Sequence, residues 1–168
     1  VAIDLAGAEA LFPTENYEAL FAKAREYQVP FTIHAGEDGD AEDVKTAVHM
    51  GAVRIGHGVR IAGNKDVIQL VKDKGIFLEM CPTSNRQTKA VEEMSDYPLK
   101  AFLEMGLKVT LNTDDPAIER TTLSREFRYM ESLLNLTQEQ KRLLLLNSVE
   151  AAFTSRNRKW KLKEQLLF

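Results

Sequence analysis

FTIHAGE, residues 31–37, is an apolar run that ends in a histidine and a carboxylate. Pro30 precedes the run and favours extended backbone before it, so we predict a strand over residues 31–34. Apolar side chains at helical spacing predict a helix upstream of Pro30, namely Tyr17, Leu20, Phe21, Ala24 and Tyr27. The segment therefore joins a buried strand to groups that can do chemistry at its end.

The same alternation of strand and helix extends along the chain. We predict strands over residues 1–6, 31–34, 53–56, 76–80 and 108–112. Between them, Asp40 has the character of a helix N-cap, and Gly51, Gly75 and Gly106 each follow a helical run. Strands separated by helices in this way favour parallel pairing.

The chain after the last predicted strand is expected to be helical. Apolar residues between Leu123 and Leu134 share one helical face. Thr137 and Gln140 have the spacing of a capping box, which predicts a helix start. Asn147 and Glu150 have the same spacing and predict another.

Polar clusters follow all of the predicted strands. They are Asp4-Leu5-Ala6-Gly7, His34-Ala35-Gly36-Glu37, Gly56-His57-Gly58, Cys81-Pro82-Thr83-Ser84-Asn85 and Asn112-Thr113-Asp114-Asp115-Pro116. Functional groups at the carboxyl ends of successive strands are typical of a barrel enzyme. A doubly wound sheet, the other candidate, typically carries a glycine-rich phosphate loop after its first strand, and this sequence has none there. We predict an α/β fold, the C-terminal part of a (β/α)8 barrel, with about five βα units and extra C-terminal helices.

Taken singly, these residues have ordinary structural explanations. His34 alone is most simply a core histidine, and His57 between two glycines an exposed turn residue. Asp114-Asp115 before a proline is typical of a turn or a helix N-cap. Together, two histidines, Glu37 and an aspartate pair that end different strands predict a metal-activated hydrolytic site, for which zinc is the fitting ion.

Other polar residues are given lesser roles. We interpret Ser84 and Asn85 as loop residues that form hydrogen bonds, and Cys81 as a packing residue because no base is paired with it in the sequence. His49, late in a predicted helix, is assigned no role.

The bulk composition is that of an ordinary globular domain. The chain has 168 residues, a net charge of -3 and one cysteine. Neither a polybasic run nor a long apolar stretch is present, so no nucleic-acid or membrane partner is expected. A lone cysteine fits a reducing compartment, and we predict a cytoplasmic location. With no linker-like segment, residues 1–168 are expected to form one unit.

The five clusters, with Arg54-Ile55 before the third and Leu111 before the last, resemble the motifs of adenosine deaminases, in the same order. The resemblance extends from Val1 to about Phe153. It implies a (β/α)8 barrel with zinc at its C-terminal mouth. It further implies hydrolytic deamination of adenosine and 2'-deoxyadenosine to inosine-type products and ammonia.

The resemblance also implies a role for each site residue. His34 and Asp114 would be zinc ligands, and Glu37 would donate a proton to purine N1. His57 would orient or deprotonate the zinc-bound water. Asp115 would bind the N7 side of the purine or hold the attacking hydroxide, and the backbone of Gly7 would face the ring.

One family element is not in this sequence. The family supplies two further zinc ligands from a His-x-His on its first strand, whereas the histidines here are His34, His49 and His57. We therefore expect the first strands to be supplied by an N-terminal barrel half, in the same or a separate chain, with the isolated chain inactive.

Two other functions stay open. The substrate could be adenine or another aminated purine nucleoside, such as aminodeoxyfutalosine, because the discriminating groups would lie in the N-terminal half. The chain could also be a non-catalytic half-barrel that only packs with a partner, since open strand edges and an uncovered apolar face favour association.

Overall fold

The computed structural model describes residues 2–166 and has a five-stranded sheet with helices along the chain. The strands are β1 (Ile3–Leu5), β2 (Phe31–Ala35), β3 (Arg54–His57), β4 (Phe77–Met80) and β5 (Lys108–Leu111). All neighbouring strands are parallel and lie in sequence order, so β1 and β5 form the two edges. This is a partial TIM-barrel-like fold, as the polar clusters at the strand ends and the family resemblance predict; the alternation of strands and helices by itself predicts only parallel pairing.

Helices separate and follow the strands. The α-helices are α1 (Glu18–Glu26), α2 (Ala41–Met50), α3 (Lys65–Lys74), α4 (Pro82–Gln87), α5 (Leu99–Glu104), α6 (Pro116–Glu119), α7 (Leu123–Leu134), α8 (Gln138–Ala151) and α9 (Arg156–Leu166). Short 3₁₀ helices are Thr14–Tyr17, Val59–Ile61 and Met94–Asp96. Within residues 2–166, no helix is long and apolar enough to span a membrane.

The predicted helix boundaries hold where capping chemistry is present. Asp40 caps α2 in a full capping box, and Gly51 ends that helix in a left-handed conformation, as Gly75 ends α3. Thr137 likewise caps α8 with Gln140 in a capping box.

The predicted helix start at Asn147 is wrong. Asn147 and Glu150 lie inside α8, which is continuous from Gln138 to Ala151. The side chain of Asn147 instead donates a hydrogen bond of 2.8 Å to the carbonyl oxygen of Val109 in β5. The polar residue therefore attaches α8 to an edge strand, a use that its spacing does not reveal.

Strand boundaries differ by a residue or two from those predicted. β1 is shorter than residues 1–6, with Val1 outside the described residues, and β4 begins at Phe77. β3 extends to His57, which therefore ends a strand rather than occupying a separate turn.

The two faces of the sheet differ in chemistry. The register aligns Ile33, Ile55, Leu78 and Val109, which are fully buried and form the core beneath the helices. Side chains alternate along a strand, so the next register row, which includes His34, Gly56 and Glu79, faces the opposite side.

The sheet face that carries His34 also carries polar side chains. Glu79 accepts a hydrogen bond of 2.6 Å from the hydroxyl of Thr32, and its other oxygen lies 3.1 Å from Nε of Arg54. The guanidinium of Arg54 also stacks 3.8 Å from the ring centroid of Phe153, just beyond α8. These contacts hold three neighbouring strands in register below the strand ends.

Candidate active site

Two histidines and an aspartate converge at the carboxyl ends of the strands. His34 is on β2, His57 ends β3 and Asp114 follows β5, and one ligand atom of each lies within 4.8 Å of the others. Zinc in proteins is bound by imidazole nitrogen, carboxylate oxygen and thiolate sulfur, and the first two kinds of donor are present here. The donor set thus fits zinc, and it includes both predicted ligands, His34 and Asp114.

A glycine makes room for the first of these residues. Gly56 pairs with His34 across β2 and β3, and a Cβ at position 56 would lie 2.7 Å from Cδ2 of the imidazole. Cβ atoms are essentially never found this close to another heavy atom, so a side chain at position 56 would displace the imidazole. The glycine of the third cluster therefore admits the His34 ring.

The surroundings of His34 favour a positive charge. Burial opposes its charged form, but the hydrogen bond and charge of Asp4, with the charges of Asp114 and Glu79, outweigh burial and raise the pKa of His34. Asp4 Oδ1 lies 3.5 Å from His34 Nε2. A negative environment of this kind also favours a bound cation.

Asn85 fixes the tautomer of His57. The amide nitrogen Nδ2 of Asn85 lies 3.0 Å from His57 Nδ1 and donates a hydrogen bond of 3.0 Å to Glu37 Oε1. The amide oxygen Oδ1 accepts a hydrogen bond of 2.8 Å from the hydroxyl of Tyr97. Burial raises the pKa of Tyr97 well above its usual value, so this hydroxyl stays protonated and acts as a donor. His57 Nδ1 therefore accepts from Asn85, and the proton of the neutral ring is on Nε2.

The protonated nitrogen of His57 faces the site. Nε2 lies 3.1 Å from His34 Nδ1, 3.3 Å from Glu37 Oε2 and 3.9 Å from Asp114 Oδ2. Burial lowers the pKa of His57, and it outweighs the opposing charges of Glu37 and Asp114. The His57 side chain is 1% exposed. Its backbone has a φ of 64°, a left-handed conformation that is uncommon for a residue other than glycine.

Glu37 is held by a ring of donors. Oε1 accepts from Thr88 Oγ1 at 3.0 Å, from the Asn85 amide and, at 3.4 Å, from Ser84 Oγ. The single hydroxyl proton of Ser84 is directed mainly to Asp114 Oδ2, at 2.8 Å, so Ser84 Oγ lies between the two carboxylates. Glu37 thus lies beside the group of possible metal ligands formed by His34, His57 and Asp114, and is not one of them.

Ser84 and Asn85 lie in α4, so their assignment to a loop is wrong. Pro82 occupies the first turn of this helix, where proline is favoured, and Cys81-Pro82 was the available sequence signal. The buried carboxylate of Glu126 in α7 anchors the helix start by accepting from Thr83 N at 3.1 Å and from the Thr83 hydroxyl. Thr88 had no sequence signal beyond following this helix.

Gly7 and Asp115 are placed differently. Gly7 lines a cleft together with Glu9, His34, Glu37 and Thr88. A Cβ at position 7 would meet no atom within 4 Å, so the space on that side of the residue is open. Asp115 is exposed and occupies the N-cap position of α6, where its side chain forms no capping hydrogen bond. It is not among the described residues that line the cleft of the histidine pair.

Cys81 is buried at the edge of the same site. Burial raises the pKa of its thiol well above the usual value, and the charges of Asp114 and Glu119 add to this. The thiol donates weakly to the carbonyl of Glu79 at 3.4 Å. This environment suppresses the thiolate and is that of a packing residue.

Curated proteins are similar in sequence to most of this chain. The chain is 47% identical over 155 residues to an adenosine deaminase of Haemophilus ducreyi and 39% identical over 166 residues to one of Enterococcus faecalis. These matches cover 92% and 99% of the chain but 45% and 49% of the relatives. The chain therefore spans about half the length of the curated relatives it matches.

Two solved structures have a similar fold, and this chain again covers about half of each. An adenine deaminase from Arthrobacter aurescens superimposes with a TM-score of 0.94 at 32% identity, over 99% of this chain and 51% of that one. An amidohydrolase from Burkholderia ambifaria, solved with bound Zn, has a similar fold, with a TM-score of 0.90 at 24% identity over 99% of this chain and 48% of that one. The family model described as adenosine deaminase matches residues 1–167. The chain belongs to the adenosine deaminase family.

Proposed function

We propose that this chain forms the C-terminal part of a zinc-dependent hydrolase that converts adenosine, or 2'-deoxyadenosine, and water to the inosine product and ammonia. The observation that carries the proposal is the convergence of His34, His57 and Asp114 within 4.8 Å, beside Glu37. Family membership supports the reaction class. The complete barrel is this chain together with the strands that close it.

In this proposal His34 and Asp114 hold the metal, and two further imidazoles come from the strands that complete the barrel. When bound, zinc lowers the pKa of a water ligand to about 7 and so supplies a nucleophile at neutral pH. His34 lies on β2 and Asp114 in the segment after β5, so a metal between them depends on how these two parts of the sheet are placed relative to each other.

Glu37 is the proposed proton donor to purine N1. A carboxyl group beside the reacting centre can neutralise charge on the ring as C6 is attacked. Ser84, Asn85 and Thr88 bind one carboxyl oxygen, which leaves the other directed toward His57. His57, with its proton on Nε2, is suited to donate a hydrogen bond to the attacking oxygen and orient it.

Gly7 and Asp115 are proposed to contact the substrate. The absence of a side chain at Gly7 lets a flat ring approach the backbone beside Glu37. The Asp115 carboxylate is exposed and forms no capping hydrogen bond with α6. It can therefore form a hydrogen bond with the N7 side of the purine once substrate covers it.

An alternative substrate is favoured by one comparison. The adenine deaminase from Arthrobacter aurescens has the same fold over this chain at 32% identity, which keeps the free base as a second candidate. The residues that surround the ribose would lie outside this chain, so the two substrates share every group described above.

A substrate comparison tests the proposal. The complete barrel is purified, its zinc content is measured, and the ultraviolet change on deamination is followed with adenosine, 2'-deoxyadenosine, adenine and aminodeoxyfutalosine. We expect the largest kcat/KM with adenosine. Preference for adenine supports the alternative, and no turnover with any of the four, at full zinc occupancy, contradicts the deaminase assignment.

A further inference from the structure

Glu9 is a buried carboxylate that none of the preceding roles uses. It lies in the segment between β1 and α1, two residues after Gly7, and is 9% exposed. Carboxylates are seldom this buried without a partner, because removing the charge from water is costly. Its partners are backbone amides rather than a cationic side chain.

Three successive N–H groups bind this carboxylate. Gly36 N donates to Oε1 at 2.5 Å, and Glu37 N and Asp38 N both donate to Oε2 at 3.0 Å. Gly36 has a φ of 71°, and a left-handed residue followed by further amides forms a concave anion site. A side chain of the segment between β1 and α1 thus shapes the backbone that carries Glu37.

The surroundings leave little room for this arrangement to change. A Cβ at Gly39 would lie 2.7 Å from Oε1 of Glu9, and a Cβ at Gly36 would lie 2.8 Å from the Val44 side chain. The carboxylate also has an electrostatic cost, because burial and then the charge of Glu9 raise the pKa of the nearby Asp43. The N–H groups offset a cost that a neutral side chain would avoid.

We propose that Glu9 is a positioning residue for the reaction. By holding the amides of residues 36–38, it fixes where the Glu37 carboxyl group lies relative to the purine and to His57. It also couples this group to Gly7, on the substrate side of the same cleft. This inference rests on the proposed role of Glu37 as the proton donor.

The test uses the complete barrel with Glu9→Gln, Glu9→Asp and the control Glu15→Gln, each alone and with Glu37→Gln. Glu15 is an exposed carboxylate of the same segment, so the control repeats the chemical change away from the amides. Glu9→Gln should lower kcat about tenfold to a hundredfold, since small misplacement of a catalytic group has effects of this size. KM and zinc content should stay close to those of the parent protein.

The double variant separates positioning from general stability. If Glu9 acts through Glu37, adding Glu9→Gln to Glu37→Gln should cause no further loss of kcat. If the two losses multiply, or if Glu9→Gln leaves kcat unchanged, the inference is wrong. Should Glu9→Gln fail to fold, Glu9→Asp, which keeps the charge but is one methylene shorter, is judged by the same comparison.

Amide hydrogen exchange gives a readout that does not depend on turnover. Exchange at Gly36, Glu37 and Asp38 should accelerate in Glu9→Gln and not in Glu15→Gln. Unchanged exchange there would overturn the inference even in an active enzyme. By contrast, full turnover in Glu37→Gln alone would contradict the proposed function while the exchange result still decides whether Glu9 holds the segment.

Discussion

Nδ2 of Asn85 lies 3.0 Å from Nδ1 of His57 and thereby determines which nitrogen of the imidazole carries its proton. The Asn85 amide cannot reverse without losing its bonds to the Tyr97 hydroxyl and to Glu37. Neutral His57 consequently presents an N–H to the site and has no lone pair there. Of the two roles open to His57, orienting water and deprotonating it, this geometry favours orienting.

Asn85→Asp should reverse this tautomer. A carboxylate at position 85 accepts from Nδ1–H and leaves Nε2 without a proton, and it also repels Glu37. We expect kcat to fall by about 10²–10⁴-fold with zinc retained, the size of an acid–base contribution. Nitrogen-15 NMR of the imidazole and metal analysis measure the two effects.

Asn64→Asp is the matched control for this variant. Asn64 caps α3 through its side chain, and aspartate caps equally well, so activity and fold should be preserved. Parent-level turnover in Asn85→Asp with a switched tautomer would show that the His57 proton does not matter to the reaction.

Gly56→Ala should weaken metal binding. The added Cβ would lie 2.7 Å from Cδ2 of His34, so the imidazole must move. Because ligand position decides affinity, we expect zinc to be lost more readily on dialysis against a chelator, with activity lost in parallel. Gly63→Ala is the control for the glycine-to-alanine change itself, because its added Cβ meets no atom within 4 Å; any strain from its φ of 84°, which Gly56 does not share, acts away from His34. Equal zinc retention in both variants would contradict the steric argument.

Much of this site follows from the sequence because strand ends of a parallel sheet meet at one edge. That rule alone brings His34, His57 and Asp114 together from distant positions in the chain. It cannot locate Glu9, whose segment has no periodicity and whose partners are backbone amides. Nor does it give the left-handed backbone conformation of His57, which is uncommon for a residue other than glycine.

Helical residues show the same limit. Pro82 signals the start of α4, yet Ser84 and Asn85, which are expected from the sequence to be loop residues, lie inside this helix. The spacing of Asn147 and Glu150 is equally compatible with a helix interior, and only contact with β5 decides between the two. α9 lies beyond the recognised motifs and is expected only as part of a helical C-terminal tail, without predicted bounds.

Glu37→Gln should remove most turnover and leave zinc in place. The amide keeps the size of the side chain and can still bond to α4, but it cannot deliver a proton. The expected loss of kcat is about 10²–10⁴-fold. Metal analysis beside the rate measurement distinguishes the roles, since loss of zinc from this variant would make Glu37 a ligand instead.

Cys81 should resist alkylation in the folded protein. It is 6% exposed, and burial raises the pKa of its thiol, so the thiolate fraction is small near neutral pH. Iodoacetamide at pH 8 should label it only after unfolding in denaturant, as measured by mass spectrometry. Rapid labelling of the native protein, at the rate of an exposed thiol, would contradict the assignment as a packing residue.

The 168-residue chain alone should hold zinc weakly and should not deaminate adenosine at a useful rate. His34 and Asp114 provide two ligands, whereas zinc sites with tight binding have three or four from the protein. β1 and β5 are sheet edges, so the strand ends also lack the closed barrel that holds catalytic groups within about 0.5 Å. Adding the remaining barrel half as a separate polypeptide, with excess zinc, should restore part of the absorbance change. Stoichiometric zinc that survives dialysis of the chain alone would contradict this account of two missing ligands.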